Sequence, residues 1–356
     1  MKKRHSDLRV TMNGSRRKRV GVIMGGSSGE REVSLRSGVA VARALETRGH
    51  DVVRLALGEG FGVELGQTLQ LAQLDVAFLA LHGRLGEDGC IQGLLELARI
   101  PYTGSSVLAS ALAMDKLKAK EMFRLHNVPT PAYYSVDDNQ DMADLEAIHG
   151  SFGFPVMVKP RGEGSSLGIT KAQNLPELAR ALDAAFAFDD TAIVERFITG
   201  TEINVAVLDG RVLGAIEIAP KSGIHDYAAK YTPGATEYFM PARLPPTRYR
   251  GVLNLADRAV RALGCTGAAR VDLLVTSSEN EYVLEVNTLP GMTETSSLPK
   301  IAAGAGYDFG RLCEEMLESA RLHQPSRRTR AERVTETGPL RREQADDGVW
   351  VLKSVG

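Results

Sequence analysis

The sequence predicts two folds in succession: a parallel-sheet α/β domain, then an α+β region of antiparallel strands. Over roughly the first 110 residues, short apolar runs alternate with helical stretches, the rhythm of a parallel sheet covered by helices. After the break Val128-Pro129-Thr130-Pro131, that rhythm gives way to paired alternating runs, one pair split by Asp209-Gly210, a strong two-residue hairpin signal. The 356 residues are 43% hydrophobic and 24% charged, enough for a large core and a length suited to two or three domains.

The first strand is Arg19 to Met24, ending in Gly25-Gly26. A helix from about Glu32 to Arg48 follows, and Gly49 closes it by taking the left-handed conformation that other residues resist. Asp51 to Leu57 and Asp75 to Leu81 are the next strands, and Asp88 to Arg99 is the next helix. Met114 to His126 forms a helix that the proline break stops, because a residue preceding proline is driven out of the helical region. Phe154 to Lys159 and Ile169 to Lys171 flank a glycine-rich loop, and Thr201 to Ala219 is the hairpin already noted. Helices at about 174 to 187 and 248 to 263 separate these antiparallel pairs, which excludes a second doubly wound sheet. Beyond Leu322 periodicity fades into a polar stretch that reads as a mobile tail.

The net charge of -1 hides an asymmetry. Residues 1 to 19 carry eight Lys and Arg against one Asp, and residues 325 to 356 carry seven against five, leaving the body at -10. An acidic body argues against a nucleic-acid binder, whose folded surface should be basic. No run approaches the 18 or so apolar residues that cross a bilayer. The basic N-terminal run has no apolar segment of the kind a secretory signal needs and reads as a solvated, disordered extension, with Met1 and Met12 both available as start codons. Cys90, Cys265 and Cys313 lack metal or redox spacing and read as buried small hydrophobes in a reducing cytoplasm.

Three stretches bear chemistry. AARVDLLVT and EYVLEVN flank the turn-like SSEN. A hairpin centred between Ser278 and Glu279 pairs Asp272 with Glu285 and puts Asn287 on the same face as Glu285. Opposed carboxylates require a positive partner, and hard oxygen ligands of this kind suit Mg²⁺ that bridges to substrate phosphates. The second stretch runs from Lys159 to Gly168. Gly162, Gly164 and Gly168 let backbone N–H groups fold around anionic oxygens, with the hydroxyls of Ser165 and Ser166 as further donors. It lacks the Gly-Lys-Ser/Thr of a P-loop and, lying between two strands, reads as a flap over phosphates. The third, GGSSGEREVSLRSG, joins a strand to a helix but lacks dinucleotide-loop spacing. Glu30 there either favours the helix dipole or binds a cationic amine.

The motifs GGSSGEREVSLRSG, LHGRLGEDG, PYTGSSVLASALAMDK, FPVMVKPRGEGSSLG, DYAAKYTPGATEYFMPA, ARVDLLV and EVNTLPGMTETSS resemble, in order and spacing, those of the D-alanine–D-alanine ligases, a family of ATP-grasp enzymes. The likeness spans about residues 19 to 320. It implies an N-terminal Rossmann-like substrate-binding domain at 19–113, a central ATP-grasp domain at 114–200 and a C-terminal catalytic ATP-grasp domain at 201–324, between the disordered basic extension at 1–18 and the mobile tail at 325–356 that composition indicates.

By resemblance, Asp272, Glu285 and Asn287 are ligands of two Mg²⁺ or Mn²⁺ ions, and Lys116 and Lys159 hold ATP phosphates. Glu195 and the backbone of Phe197 and Ile198 face adenine, while Glu202 binds ribose hydroxyls. Arg196 stands where the family commonly has Lys. Glu30 holds the ammonium of the first D-alanine together with Ser165 and Tyr231, and His82 lies in that subsite. Ser296 binds the second substrate's carboxylate, and Ser297 follows where the family usually has an apolar residue. Lys230 and the metal ions neutralise charge in phosphoryl transfer, and Arg270 with the Gly291 N–H stabilises the tetrahedral oxyanion. The resemblance further implies a cytoplasmic homodimer making D-alanyl-D-alanine for peptidoglycan, with no nucleic-acid or membrane partner. A nucleotide-binding regulator that keeps the fold without turnover is the alternative, and hydride transfer is a weaker third reading.

Overall fold

The computed structural model describes residues 16–58, 63–221, 234–278, 280–323, 340–344 and 350–354. Strand β1 (Arg19–Gly25) lies between β2 (Asp51–Leu57) and β3 (Val76–Leu79), parallel to both. Being central, it must be apolar on both faces, and its period of two sorts the side chains. Val20, Val22 and Met24 meet Val41, Ala42 and Leu45 of α1 (Arg31–Thr47), whereas Ile23 packs with Leu65 and Leu69 of α2 (Val63–Ala72) and Leu95 of α3 (Cys90–Ala98).

Helix α2 is absent from the sequence reading, because glycines surround a ten-residue segment with few core positions. The cysteine expectation needs one correction: Cys265 and Cys313 are buried, but Cys90 is exposed. It opens α3, whose inward positions are Ile91, Gln92, Leu95 and Glu96.

The expected Met114 to His126 helix is broken at its start. Asp115, in extended conformation, ends α4 (Val107–Met114) and caps α5 (Lys116–Leu125) by accepting from the Lys118 N–H at 3.0 Å. Arg161 holds the same carboxylate at 2.6 Å. The cap sets the rotation of α5, so that Lys116 and Lys120, four residues apart, are both buried.

Next comes a four-stranded antiparallel sheet of β4 (Tyr133–Asp137), β5 (Val156–Pro160), β6 (Thr170–Ala172) and β7 (Thr191–Arg196), in the order β4-β7-β5-β6. Helix α6 (Leu145–His149) adds Leu145 to its core, and α7 (Leu175–Phe186) covers it with Leu178, Ala181, Leu182 and Ala185. A five-stranded sheet follows: β8 (Thr201–Leu208), β9 (Arg211–Pro220), β10 (Thr236–Phe239), β11 (Ala268–Val275) and β12 (Glu281–Asn287), in the order β10-β9-β8-β11-β12. Helix α8 (Pro246–Leu263) packs Val252, Ala256 and Ala259 against Ile203, Val205 and Val271 on one face. On the other, α9 (Ser297–Gly304) and α10 (Phe309–Glu318) share one core with β1 and α1.

Residues 323–356 form a separate unit in which Leu340–Gln344 pairs antiparallel with Trp350–Ser354. The sequence reading assigned no element there.

A tight backbone approach joins the segment between α3 and α4 to the start of β11. Gly267 has φ +66°, and a Cβ there would stand 2.9 Å from the Gly104 backbone. Ser105 Oγ donates to the Thr266 carbonyl and accepts from its N–H, both at 3.1 Å. Gly267→Ala is therefore expected to lower unfolding free energy by about 1–3 kcal/mol. The reading is a lower urea midpoint at unchanged slope, and a wild-type midpoint would contradict the close approach.

Candidate active site

The β11–β12 hairpin opposes Asp272 to Glu285 and Arg270 to Asn287, the register the sequence predicts. A bulge after Asp272 then shifts the pairing to Leu273 with Val283, a device that re-aims side chains beside a site. The positive partner that the opposed carboxylates require is Arg270, two residues along the strand and so on the same face. Its Nε lies 2.7 Å from Asp272 Oδ1 and its Nη2 donates to Oδ2 at 2.8 Å. Arg270 Nη2 also donates to the Asn287 amide oxygen at 2.7 Å, while the Asn287 amide nitrogen donates to Glu87 Oε1 at 2.9 Å. Burial disfavours the Arg270 charge, but Asp272 and Glu285 outweigh it and raise the pKa. Burial raises Asp272, against the pull of Arg270.

A second strand steadies the same carboxylate. Asn204 on β8 faces Asp272 in register and donates to its Oδ1 at 2.9 Å. Ser297 donates to Asn204 Oδ1 at 2.8 Å, so its hydroxyl orients the amide that orients Asp272.

Two pockets meet at this hairpin. Glu30, His82, Lys116, Ser165, Arg270, Asn287, Gly291 and Ser296 line the first, and Lys159, Ser166, Glu195, Phe197, Ile198 and Glu202 line the second. Asp272 and Glu285 line both. The flap divides its adjacent serines between them, and both take left-handed conformations, Ser165 at φ 49° and Ser166 at φ 60°. Such backbone in non-glycine residues stores strain that the surroundings must hold. Ser165 Oγ donates to Glu30 Oε1, and Lys116 Nζ donates to the Glu163 carbonyl, so the flap is docked at two points. A Cβ on Gly164 would stand 2.6 Å from Glu30 Oε2, so a side chain there would have to displace the Glu30 carboxylate.

In the first pocket, His82 is buried, with Nδ1 3.0 Å from the Leu289 carbonyl and Nε2 3.4 Å from Ser37 Oγ. Burial lowers its pKa. Ser296 precedes α9, where unpaired N–H groups favour an anion, and its hydroxyl accepts from the Thr293 N–H at 3.1 Å. In the second pocket, Lys159 Nζ lies 2.8 Å from Glu195 Oε2. Arg196 is exposed and donates to the Phe152 carbonyl at 3.0 Å. Lys230 and Tyr231 lie outside the described residues.

Among the described residues no cluster of three or more His, Cys, Asp or Glu suits a metal. The donors at the hairpin are instead two carboxylates and an amide, hard oxygens that fit a cation completing its shell from phosphates and water. Sequence reasoning missed Glu87, Asn204 and Lys120. Glu87 was legible within LHGRLGEDG, and Lys120 as the residue four after Lys116; Asn204 needed the β8–β11 register.

A parallel-sheet domain followed by two antiparallel sheets, with Asp272 and Glu285 lining two adjacent pockets, has the architecture of the ATP-grasp class. Family models described as the D-ala D-ala ligase N-terminus and C-terminus match residues 60–105 and 122–318. A D-alanine–D-alanine ligase of Anaeromyxobacter sp. (strain K) is 51% identical, the match covering 86% of this chain and 97% of that protein. The D-alanine–D-alanine ligase structure from Bacillus anthracis complexed with ATP is 33% identical with a TM-score of 0.73, covering 85% of this chain and 97% of the other. The VanG D-Ala:D-Ser ligase of Enterococcus faecalis is 32% identical with a TM-score of 0.74, covering 85% and 99%. The chain belongs to the D-alanine–D-alanine ligase family.

Glu87 titrates at about 8, pushed up by burial and by Glu30 against the pull of its bond to the Gly83 N–H. A carboxyl raised in the folded state stabilises below its unfolded pKa, and that contribution is lost as pH rises through the folded value. Between about pH 5 and 8, the wild type without ligands should lose on the order of a few kcal/mol relative to Glu87→Gln. Parallel urea stabilities of the two proteins across that range would contradict this.

Proposed function

We propose that this chain joins two D-alanine molecules at the expense of ATP, giving D-alanyl-D-alanine, ADP and phosphate, for peptidoglycan precursor synthesis. One observation carries the reading: Asp272 and Glu285 line both pockets. Transfer of a phosphoryl group to a carboxylate needs the nucleotide and the amino acid to meet at one point, and the hairpin is that point.

The second pocket takes ATP, with Lys159 and Ser166 toward the phosphates, Glu195 and the Phe197 and Ile198 backbone toward adenine, and Glu202 toward ribose. Lys116, at the flap, completes the phosphate contacts. In the first pocket, Glu30, oriented by Ser165, holds the ammonium of the first D-alanine beside His82. The carboxylate oxygen of that D-alanine attacks the γ-phosphorus, and ADP leaves with the bridging electrons. The product is a D-alanyl phosphate. Asp272, Glu285 and Asn287 would hold two Mg²⁺ or Mn²⁺ ions, which supply charge neutralisation to the phosphates when bound.

Ser296 and the start of α9 position the carboxylate of the second D-alanine. Its neutral amine attacks the acyl carbon, the oxyanion forms beside Arg270 and the Gly291 N–H, and collapse expels phosphate, which takes up the proton the amine nitrogen gives up. By the family pattern, Lys230 and Tyr231 assist from residues outside the described set. We further infer a cytoplasmic homodimer without nucleic-acid or membrane partners; among the described residues no helix is long and apolar enough to cross a membrane.

The test is ADP release with D-alanine as sole amino acid, together with product analysis. Stoichiometric ADP and dipeptide are expected; a non-catalytic regulator would release no ADP, and preference for D-serine or D-lactate as second substrate would change the acceptor.

Asp272→Asn and Glu285→Gln should each reduce turnover about 10²-fold or more with the fold intact by circular dichroism. Near-normal turnover at limiting Mg²⁺ would remove the metal assignment. Arg270→Ala should slow amide formation about 10²- to 10³-fold while ATP affinity stays near wild type. Loss of ATP affinity in calorimetry would instead move Arg270 to the nucleotide site.

A further inference from the structure

The second pocket is backed by a charge that the reaction above does not use. Lys120, on α5, has a side chain 1% exposed, with Nζ 3.0 Å from Glu195 Oε1. It donates to Thr130 Oγ1 at 2.6 Å and lies 5.4 Å from the centre of the Tyr133 ring. The other Glu195 oxygen, Oε2, lies 2.8 Å from Lys159 Nζ. One buried carboxylate thus stands between two buried ammonium groups. Lys159 and Glu195 line the pocket; Lys120 does not.

The charge count gives the arrangement its meaning. Glu195 and Lys159 alone would be a neutral pair, because a carboxylate at 2.8 Å cancels most of the field that an ammonium projects into a pocket. With Lys120 behind it, the trio carries one net positive charge. Burying three charges where one would serve is expensive, so the arrangement calls for a role beyond stability. Burial works against the Glu195 charge, yet the two lysines hold its pKa down to about 2, so it stays ionised.

We propose that Lys120 is a positioning residue of the phosphate site: it neutralises Glu195 from the rear, so that Glu195 fixes the place of the Lys159 ammonium without cancelling its charge toward the nucleotide phosphates. This rests on the reading of the second pocket as the ATP site. The cap at Asp115 sets the rotation of α5 that brings Lys120 to Glu195, and Lys116 on the same helix reaches the flap. The helix therefore supplies one lysine to the phosphates directly and one through a carboxylate.

The experiment measures calorimetric affinities for adenosine, AMP, ADP and ATP with Mg²⁺ in wild type, Lys120→Met and the double variant Lys120→Met with Glu195→Gln. Lys120→Met should weaken ATP about tenfold or more, ADP and AMP progressively less, and adenosine hardly at all, because the loss scales with phosphate charge. The double variant again leaves one positive charge; what Glu195→Gln costs at adenine falls equally on adenosine and ATP, so the ratio of ATP to adenosine affinity should return to within about threefold of wild type. Lys120→Gln, which can still hydrogen-bond Thr130, carries the same expectation if the methionine variant does not fold. Equal losses for adenosine and ATP, or a double variant whose ratio is no better than that of the single one, would overturn the proposal. A wild type that binds none of the four would overturn the nucleotide reading of the pocket, and the proposal with it.

Discussion

The site depends on holding two carboxylates opposite each other on adjacent strands inside the protein. Asp272 and Glu285 are paired in register, and both face the pockets. Like charges so placed repel, and burial strengthens the repulsion by removing water. Arg270 answers with two contacts to Asp272 and one to Asn287, while Asn204 adds a neutral donor. The chain thus holds an arrangement that a positive ligand could enter, and no hydrophobic packing could substitute for that charge balance.

The surrounding structure supplies rigidity to this pair. Strand β11 lies between β8 and β12, so backbone bonds hold it from both sides. Helix α8 seals one face of the sheet, and α9 with α10 ties the other to β1 and α1. Ser297 illustrates how far the support extends, since it reaches Asp272 only through Asn204. Residues of this kind act on the chemistry without lining the point where charge is transferred.

The flap follows a different logic. It is short of side-chain bulk, yet two consecutive serines adopt left-handed backbone that glycine would take without strain. Ser165 donates its hydroxyl to Glu30 and lines the first pocket, whereas Ser166 lines the second. Local strain is held there by long-range contacts, namely Glu30 just before α1 and Lys116 from α5. The second pocket also depends on a long-range contact, the ion pair of Lys120 with Glu195.

Strands β1, β2 and β3, helices α1 and α3, the Asp209-Gly210 hairpin and the pairing of Asp272 with Glu285 were legible in the sequence, because each is a matter of period or turn chemistry over a few neighbours. The motifs also carried the family, and with it the residues of the two pockets. Tertiary structure alone decided what the local pattern left open. Cys90 is exposed because of where α3 starts, and the helix from Met114 breaks at Asp115 because Arg161, 46 residues away, holds the capping carboxylate. Asn204 and Glu87 became part of the site through strand register and loop approach. Lys120 pairs with a carboxylate 75 positions on, a contact no periodicity encodes. Local pattern depends on backbone geometry within a few residues, whereas the balance of buried charge is set by which distant groups meet once water has been excluded.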